Sequence, residues 1–303
     1  MSLRDVFALS NYLGAELKGR TISNARHTVS LTDFLQQTCL IGRSEELVAR
    51  SVLLAVSDQL ISAIAMMELD GLAGRMLVFP PDLNADRVRT LIEQADIDAV
   101  VTDQPLRWSS VGVYQVAATR LPVWAPARAR ARRTTEWLTL TSDTLDEPKL
   151  VAHTSEDLCS AIGATGAAQS GQPVWATFSD IRRAGGLQIL LRAVTSSGSM
   201  VLSEPGEPIA DHVARLVARG VTHISGTPSQ WRTLLTSDAA SGFAPRHVHL
   251  SGGTTDRALL DGLKQAFPNA SIDHANGSFG TGAGFAWPTT PWAMGAQASR
   301  AVH

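Results

Sequence analysis

The sequence predicts an α/β fold in which parallel sheets are covered by helices. Two observations support this prediction. Short apolar runs rich in Val, Leu and Ile alternate with amphipathic patterns long enough for helices of about ten residues. Small polar residues, glycine or proline separate most of these segments, as expected at the ends of strands and helices. Because parallel strands need a crossover between them, usually a helix, the alternation predicts two packed, parallel-type α/β units.

The N-terminal part of the chain shows the alternation first. Residues 30–39 form an amphipathic helical pattern, with Ser30 or Thr32 as the N-cap. The elements after it are predicted as a strand at 51–56, a helix at 59–72, a strand at 75–79, a helix at 86–95 and a strand at 97–101. This order is typical of one parallel, helix-covered sheet.

Residues 102–136 interrupt the alternation. Within them, the segment 126–133 is basic and has no apolar periodicity. We interpret it as a linker or an exposed loop. The alternative is a nucleic-acid-binding arm, which neither interleaved aromatic residues nor a wider basic field supports.

The second half of the chain resumes the pattern with a strand at 137–140. The later elements are predicted as a helix at 155–163, a strand at 174–178, a helix at 186–194, a strand at 199–202, a helix at 209–218, a strand at 222–225, a helix at 229–235, a strand at 247–250 and a helix at 255–267. We therefore divide the chain into an α/β subdomain at 1–135 that ends in the basic linker, a second α/β subdomain at 136–287, and an irregular tail at 288–303.

Composition and charge exclude several classes of function. The chain is 44% apolar and 18% charged, which is typical of a globular protein with a core. Its net charge of -2 argues against general binding to nucleic acid or to an anionic membrane. The two cysteines, Cys39 and Cys159, have no metal-ligand spacing and give no disulfide framework, so we expect a cytoplasmic protein. Neither a signal peptide nor an apolar run long enough to span a bilayer is apparent.

A hydroxyl-rich loop follows the strand at 137–140. It contains Thr141, Ser142 and Thr144, and a Pro-Lys pair ending at Lys149 leads into a second apolar run. Hydroxyls, backbone N–H groups and a lysine that follow a strand suit the oxygens of a phosphate. The alternative is an ordinary polar turn between two strands.

This loop resembles the phosphate loop of adenylate-forming enzymes, the superfamily of acyl-CoA synthetases and peptide-synthetase adenylation domains. The resemblance runs over about residues 30–287. It implies contacts to the phosphates of ATP from Thr141, Ser142, Thr144 and Lys149. Two positions that usually hold glycine hold Asp143 and Asp146 instead, which implies repulsion between the loop and a triphosphate.

A second motif of the resemblance lies at 221–232. A strand pattern ends in Ser-Gly-Thr-Pro, and Pro228 suits the first turn of a helix, where its missing N–H costs nothing. By resemblance this segment helps to form the acyl pocket, and the implied lining residues are His223, Ser225 and Gly226. The alternative for His223 is a hydrogen-bonded histidine of the core.

A third motif ends the strand at 247–250 with Ser-Gly-Gly. In the family, a comparable small turn packs against adenine through backbone atoms. The resemblance thus implies that Gly252 and Gly253 bind adenine, and the alternative is a plain turn.

The fourth motif is the glycine-rich segment 273–284. Family members carry here an aromatic residue that stacks on adenine, a threonine that touches phosphate and a glutamate that holds Mg²⁺. Asn276, Phe279 and Gly280 occupy those positions in this sequence, and Ser278 persists between them. The resemblance leaves Asn276 and Ser278 as nucleotide-binding positions and implies that a carboxylate ligand of Mg²⁺ is lost.

The resemblance implies an ATP-dependent adenylation of a carboxylic acid, followed by transfer to CoA. Family members continue into a C-terminal lid domain with a catalytic lysine, and this chain ends at His303 before such a domain. We therefore expect impaired catalysis, with no catalytic or metal-binding residue assigned. The expected ligands are weakly bound ATP or AMP, a small carboxylic acid and CoA, but no nucleic acid and no membrane. The alternatives are a non-catalytic acyl- or nucleotide-binding pseudoenzyme, or a subunit completed by a separate C-terminal domain protein.

Overall fold

The computed structural model describes residues 8–12, 18–34, 36–79, 85–109, 111–119, 121–124, 133–140, 150–160, 172–196 and 198–275. Their strands are β1 (Thr21–Ser23), β2 (Thr28–Ser30), β3 (Gln37–Thr38), β4 (Ser51–Ala55), β5 (Arg75–Val78), β6 (Ala99–Thr102), β7 (Tyr114–Ala117), β8 (Val123–Trp124), β9 (Glu136–Leu140), β10 (Leu150–Thr154), β11 (Val174–Thr177), β12 (Ser199–Val201), β13 (His223–Gly226), β14 (His247–Ser251) and β15 (Ser271–Ala275).

The helices of the same residues are α1 (Leu31–Phe34), α2 (Gln59–Leu69), α3 (Ala85–Gln94), α4 (Ser155–Ser160), α5 (Ala184–Thr195), α6 (Ile209–Ala218), α7 (Pro228–Leu235) and α8 (Arg257–Ala266). Short 3₁₀ turns lie at Leu9–Tyr12, Ser44–Leu47, Pro105–Trp108 and Asp238–Ala240. Among these helices, none combines the length and the apolarity that crossing a bilayer requires.

The first sheet has six strands in the order β10-β9-β5-β4-β6-β7. All neighbouring pairs are parallel except β9 and β10, which are antiparallel. Alternate residues of a strand point to opposite faces, so both faces of this sheet are apolar. Val52 and Leu54 join the cluster that contains α2, whereas Leu53 joins the cluster that contains Val88 of α3.

The second sheet has seven strands in the order β15-β14-β13-β11-β12-β1-β2. Its strands pair in parallel from β15 to β1, and β2 closes the edge in the antiparallel sense. The early strand β1 is anchored by Arg20, whose guanidinium donates to the carbonyls of Ala193, Val194 and Gly198. The carbonyls of Ala193 and Val194 lie in the last turn of α5, where a cation is stabilising, and Gly198 lies between α5 and β12.

The two sheets pack against each other through α2 and α5. Every residue of α2 is buried, and one apolar cluster contains residues of both helices and of both sheets. The start of α2 is fixed by Asp58, whose side chain accepts a hydrogen bond from the Ile61 N–H at 3.0 Å. The α/β prediction with two packed, parallel-type sheets is confirmed.

The predicted helix at 30–39 is wrong. Only the turn Leu31–Phe34 is helical, and Gln37–Thr38 pair with β8 as a strand. Here a tertiary contact overrides local propensity: the Thr38 hydroxyl and the Cys39 N–H both donate to the buried carboxylate of Glu68 on α2.

The interrupted region 102–136 is more regular than the sequence suggested. It contains β7, which extends the first sheet, and β8, which pairs with β3. The basic segment lies outside the described residues apart from Arg133. The division of the chain at residue 135 stays a prediction, although β9 and β10 extend the first sheet while β1 and β2 extend the second.

Candidate functional site

The carboxyl ends of four parallel strands meet along one edge of the second sheet. The register places Thr177, Ser225, His249 and Asp273 side by side across β11, β13, β14 and β15. In open α/β sheets, ligands bind at the carboxyl ends of the strands. Four separate stretches of the sequence therefore supply one candidate site.

Ser225 and Gly226 end strand β13 at this edge. Ser225 is buried, and its Oγ lies 3.4 Å from the Oγ of Ser251 on β14. A Cβ atom at position 226 would stand 2.7 Å from the Phe178 ring and 3.1 Å from Nε1 of Trp231. Glycine is therefore required here by close packing, because no side chain fits between the two rings.

The segment after Gly226 joins two strand ends to a helix. Thr227 and Gln230 form a capping box at the start of α7, with Pro228 at the first helical position. The Gln230 amide also donates to the carbonyl of Phe178 at 3.1 Å. The first turn of α7 is thereby fixed to the carboxyl ends of both β11 and β13.

The Gly252–Gly253 turn follows β14 at the same edge and is exposed. Both glycines have left-handed backbones, with φ of 67° and 71°. Such values favour glycine, and they explain why the sequence has two glycines here. The turn leaves backbone atoms accessible beside Pro228, which lies 3.6 Å from the place of a Cβ on Gly253.

His223 begins β13 and lies in a buried stack of rings. Its imidazole is 4.4 Å from the Trp175 ring and 4.3 Å from the His247 ring, centroid to centroid. Its Nδ1 lies 2.7 Å from the Thr222 hydroxyl. Burial lowers the pKa of His223 to about 3, with smaller contributions from His247 and two arginines. This environment favours the alternative of a hydrogen-bonded core histidine, and the pocket role of His223 stays a prediction.

Three further polar residues on this face were not singled out in the sequence. Burial lowers the pKa of His249 to about 3 and raises the pKa of Asp273 to about 6. Arg192 of α5 covers this face, with its guanidinium 5.7 Å from the Trp175 ring, and burial lowers the pKa of Arg192 to about 10. The alternation of His247, His249 and Ser251 was the available signal, since residues two apart in a strand share a face.

The other predicted site residues lie outside the described residues. They are Thr141, Ser142, Thr144, Lys149, Asn276 and Ser278. The hydroxyl-rich loop connects the antiparallel strands β9 and β10, where Leu140 pairs with Leu150. The glycine-rich segment follows β15 at the edge described above. Within the described ranges, no group of three His, Cys, Asp or Glu side chains is arranged to hold a metal ion.

No protein-family model and no curated protein matches the sequence. Solved structures do match. VinN is 16% identical, with a TM-score of 0.67 over 89% of this chain and 74% of VinN. The N-terminal subdomain of Klebsiella oxytoca NpsA in complex with 3-hydroxybenzoyl-AMSN is 13% identical, with a TM-score of 0.70 over 87% of this chain and 70% of that subdomain. The fold is that of the adenylate-forming enzymes.

A third match to the adenylate-forming fold is a candidate long-chain-fatty-acid CoA ligase from Rhodopseudomonas palustris CGA009. It is 18% identical, with a TM-score of 0.66 over 88% of this chain and 75% of that protein. VinN has also been solved with L-aspartate. The expected resemblance is confirmed for the fold.

Proposed function

We propose that this chain is an AMP-dependent ligase-like domain of the acyl-CoA synthetase type, which binds an adenylate at the carboxyl edge of its second sheet and is impaired in catalysis. One observation carries the proposal. The exposed Gly252–Gly253 turn offers bare backbone at the end of β14. Among the described residues other than its two chain neighbours, none has an atom within 4 Å of the place where a Cβ of Gly252 would stand. A flat base can approach such a turn, which fits the adenine end of ATP or AMP.

The acid would lie beside the polar face of the same edge. Ser225, His249 and Asp273 are adjacent there, and the pKa shifts of the last two keep His249 neutral at pH 7 while Asp273 ionises near pH 6. A polar acid suits these groups better than a plain alkyl chain, because buried polar groups need hydrogen-bond partners. The complexes of NpsA with 3-hydroxybenzoyl-AMSN and of VinN with L-aspartate support this choice by analogy.

The phosphate end of ATP would face the hydroxyl-rich loop. Thr141, Ser142, Thr144 and Lys149 would hold the phosphates through hydroxyl and ammonium donors. Asp143 and Asp146 oppose this, because two unit charges 4 Å apart repel by about 4 kcal/mol at an effective dielectric constant near 20. We propose no Mg²⁺-dependent step, because Gly280 stands where the family resembled has the glutamate that holds Mg²⁺.

A double substitution in the loop tests the proposal. Asp143→Gly with Asp146→Gly should strengthen ATP binding by about tenfold or more, because the repulsion of the triphosphate is removed. The gain should shrink at high salt, where screening has already weakened the repulsion. Isothermal titration calorimetry measures both effects. The control is Asp238→Gly with Asp261→Gly, which removes the same charge from the turn Asp238–Ala240 and from α8.

An unchanged dissociation constant for the loop variant would show that 141–149 does not lie at a nucleotide. An equal gain in the control pair would show that the effect comes from the net charge of the protein and not from the loop.

The second candidate function is a non-catalytic acyl- or nucleotide-binding protein, or a subunit completed by a separate domain that carries the family's lysine. This chain has Asp143 and Asp146 where the family resembled has glycine, and Gly280 where it has glutamate. These departures from the family pattern favour the second candidate over a fully active ligase. Adding such a domain in trans distinguishes the two forms, since only a completed subunit would gain activity.

A further inference from the structure

A cavity of about 190 Å³ lies on the other face of the second sheet, under α6 and α7. Phe178 and Ile209 give it an apolar wall, and Glu204, Glu207 and His212 give it a polar one. Phe178 follows Thr177 on β11 and points away from the face that holds Ser225 and His249. This cavity is therefore separate from the adenylate-binding edge.

The polar wall is organised by an ion pair. The guanidinium of Arg215 donates to both carboxylate oxygens of Glu207, with Nη2 at 2.6 Å from Oε2 and Nε at 3.1 Å from Oε1. Nδ1 of His212 lies 2.9 Å from the same Oε2. Nη2 of Arg215 is also 3.0 Å from this Nδ1, but its two protons are directed at Oε1 and Oε2 of Glu207, at 2.9 and 2.6 Å. Because a carboxylate can only accept, Nδ1 of His212 carries a proton.

The other ring nitrogen of His212 is then an acceptor. Burial, the largest cause, lowers the pKa of His212 to about 4, so that the ring is neutral at pH 7. A neutral imidazole with its proton on Nδ1 has a lone pair on Nε2. This Nε2 is buried, and no hydrogen-bond partner for it exists among the described residues. Such an atom needs a donor from a water molecule or a ligand, because leaving it unsatisfied is costly.

The remaining polar groups of the wall do not supply that donor. The Gln230 amide donates to the carbonyl of Phe178, and the Thr233 hydroxyl donates to the carbonyl of Ser229. The Ser203 hydroxyl is 3.5 Å from the carbonyl of Ser179. Glu204 adds another acceptor: its Oε1 accepts from the Ala25 N–H at 3.1 Å, and its Oε2 lies 3.8 Å from the guanidinium of Arg26, which is largely exposed.

We propose that this cavity binds a small organic cation, a primary ammonium on a short apolar body. The ammonium donates to Nε2 of His212 and to the carboxylate of Glu204, and the apolar body packs against Phe178 and Ile209. An ammonium has three donors and no acceptor, which matches a wall that offers acceptors. The volume is below that of pockets for drug-sized ligands, so the ligand is small.

Titration of the full chain with three matched probes tests the proposal. The probes are n-butylammonium, n-butanol and n-butyrate, and the signal is the ¹⁵N resonance of Nε2 of His212. Butylammonium should shift this resonance in a saturable way. Butanol should bind at least about tenfold more weakly, because its hydrogen bond lacks the charge assistance, and butyrate should not bind. Equal affinity for butanol, or no saturable shift with butylammonium, would overturn the proposal.

A variant pair adds a second measurement. Glu204→Gln removes one acceptor charge from the wall and should weaken butylammonium binding about tenfold. Asp211→Asn removes the same charge from an exposed position on α6 and should leave the affinity unchanged. Equal losses in both variants would show a general charge effect and would overturn the proposed site.

Discussion

At Gly226 the space for a side chain is occupied by two aromatic rings. The Phe178 and Trp231 rings meet edge to face at a centroid distance of 5.2 Å, and Gly226 lies against both. Phe178 also lines the cavity under α6 and α7, while Ser225, the residue before Gly226, lies at the edge that we propose to bind the adenylate. Gly226 therefore lies between the two proposed sites.

We expect Gly226→Ala to destabilise the protein by about 1–3 kcal/mol, the usual cost of forcing a methyl group into a packed core. Gly185→Ala is the matched control. Its Cβ would lie 3.9 Å from the Ser251 hydroxyl, an ordinary contact in the first turn of α5, and the free energy of unfolding should not fall. Urea unfolding measures both variants. Equal stability of the two would show that the ring packing at Gly226 is looser than described.

Strands β11, β13 and β14 place a row of rings across the second sheet. Trp175, His223 and His247 occupy the same register on neighbouring strands, and α5 covers them. Stacking of this kind stabilises a sheet beyond simple burial. His223 is buried and His247 is partly buried, and desolvation lowers the pKa of both rings, which makes the stability of the sheet depend on pH.

We expect stability to fall as the pH drops below about 6.5. An unfolded histidine takes up a proton near pH 6.5, whereas folded His223 does so only near pH 3, so protons favour the unfolded chain between these values. His223→Phe keeps the ring and removes the proton site. The slope of unfolding free energy against pH between 6 and 5 should decrease by up to about 1.4 kcal/mol per pH unit. Above pH 8 the two slopes should coincide. An unchanged slope below pH 6 would contradict the buried, neutral state of His223.

Most elements of the two sheets could be predicted from the sequence, and the reasons for the exceptions are physical. The apolar pattern predicts the strand at 51–56 and the helix at 209–218, and both agree with β4 and α6 within a residue. The helical pattern at 30–39 fails because Glu68, distant in sequence, holds Thr38 and Cys39 in an extended conformation. A single sequence does not reveal that partner.

The strand ends that form the candidate site could be predicted from the sequence, whereas their roles in binding stay predictions. Ser-Gly-Thr-Pro and Ser-Gly-Gly mark strand ends by their small residues, and the structure brings Ser225, Gly226 and Gly252 to one edge. His249 and Asp273 were missed because their importance depends on which face of the strand they occupy. That information comes from the register of the sheet.

In the molecule as a whole, polar contacts link the two sheets at the carboxyl ends of their parallel strands. The Gln59 side chain at the start of α2 donates to the Ser203 carbonyl and accepts from the Ile181 N–H. Arg182 donates to the carbonyls of Val56 and Ser57, at the carboxyl end of β4. The proposed phosphate loop follows a strand of the first sheet and the adenine turn follows a strand of the second. The binding of a nucleotide to both segments would therefore depend on the contacts of Gln59 and Arg182, which join the two sheets.

We expect the unmodified chain, purified to homogeneity, not to exchange pyrophosphate into ATP with any carboxylic acid. Losing one electrostatic contact of this kind typically costs about 10²–10³ in rate, and both the phosphate loop and the Mg²⁺ position are altered here. Gly280→Glu alone should rescue little, because the loop repulsion remains. Gly280→Glu combined with Asp143→Gly and Asp146→Gly, plus a lysine-bearing domain from a relative in trans, should rescue more. Robust, acid-dependent exchange by the unmodified chain would show that it is an active ligase and would contradict the proposed impairment.

Titration with AMP and with ATP-Mg²⁺ by calorimetry tests the proposed nucleotide site most directly. The Gly252–Gly253 turn is the proposed place for adenine, and Asp143 and Asp146 are proposed to oppose additional phosphate charge. AMP or adenosine should therefore bind more tightly than ATP-Mg²⁺, and ATP-Mg²⁺ should bind weakly or not at all. Micromolar binding of ATP-Mg²⁺ that is tighter than binding of AMP would contradict this account.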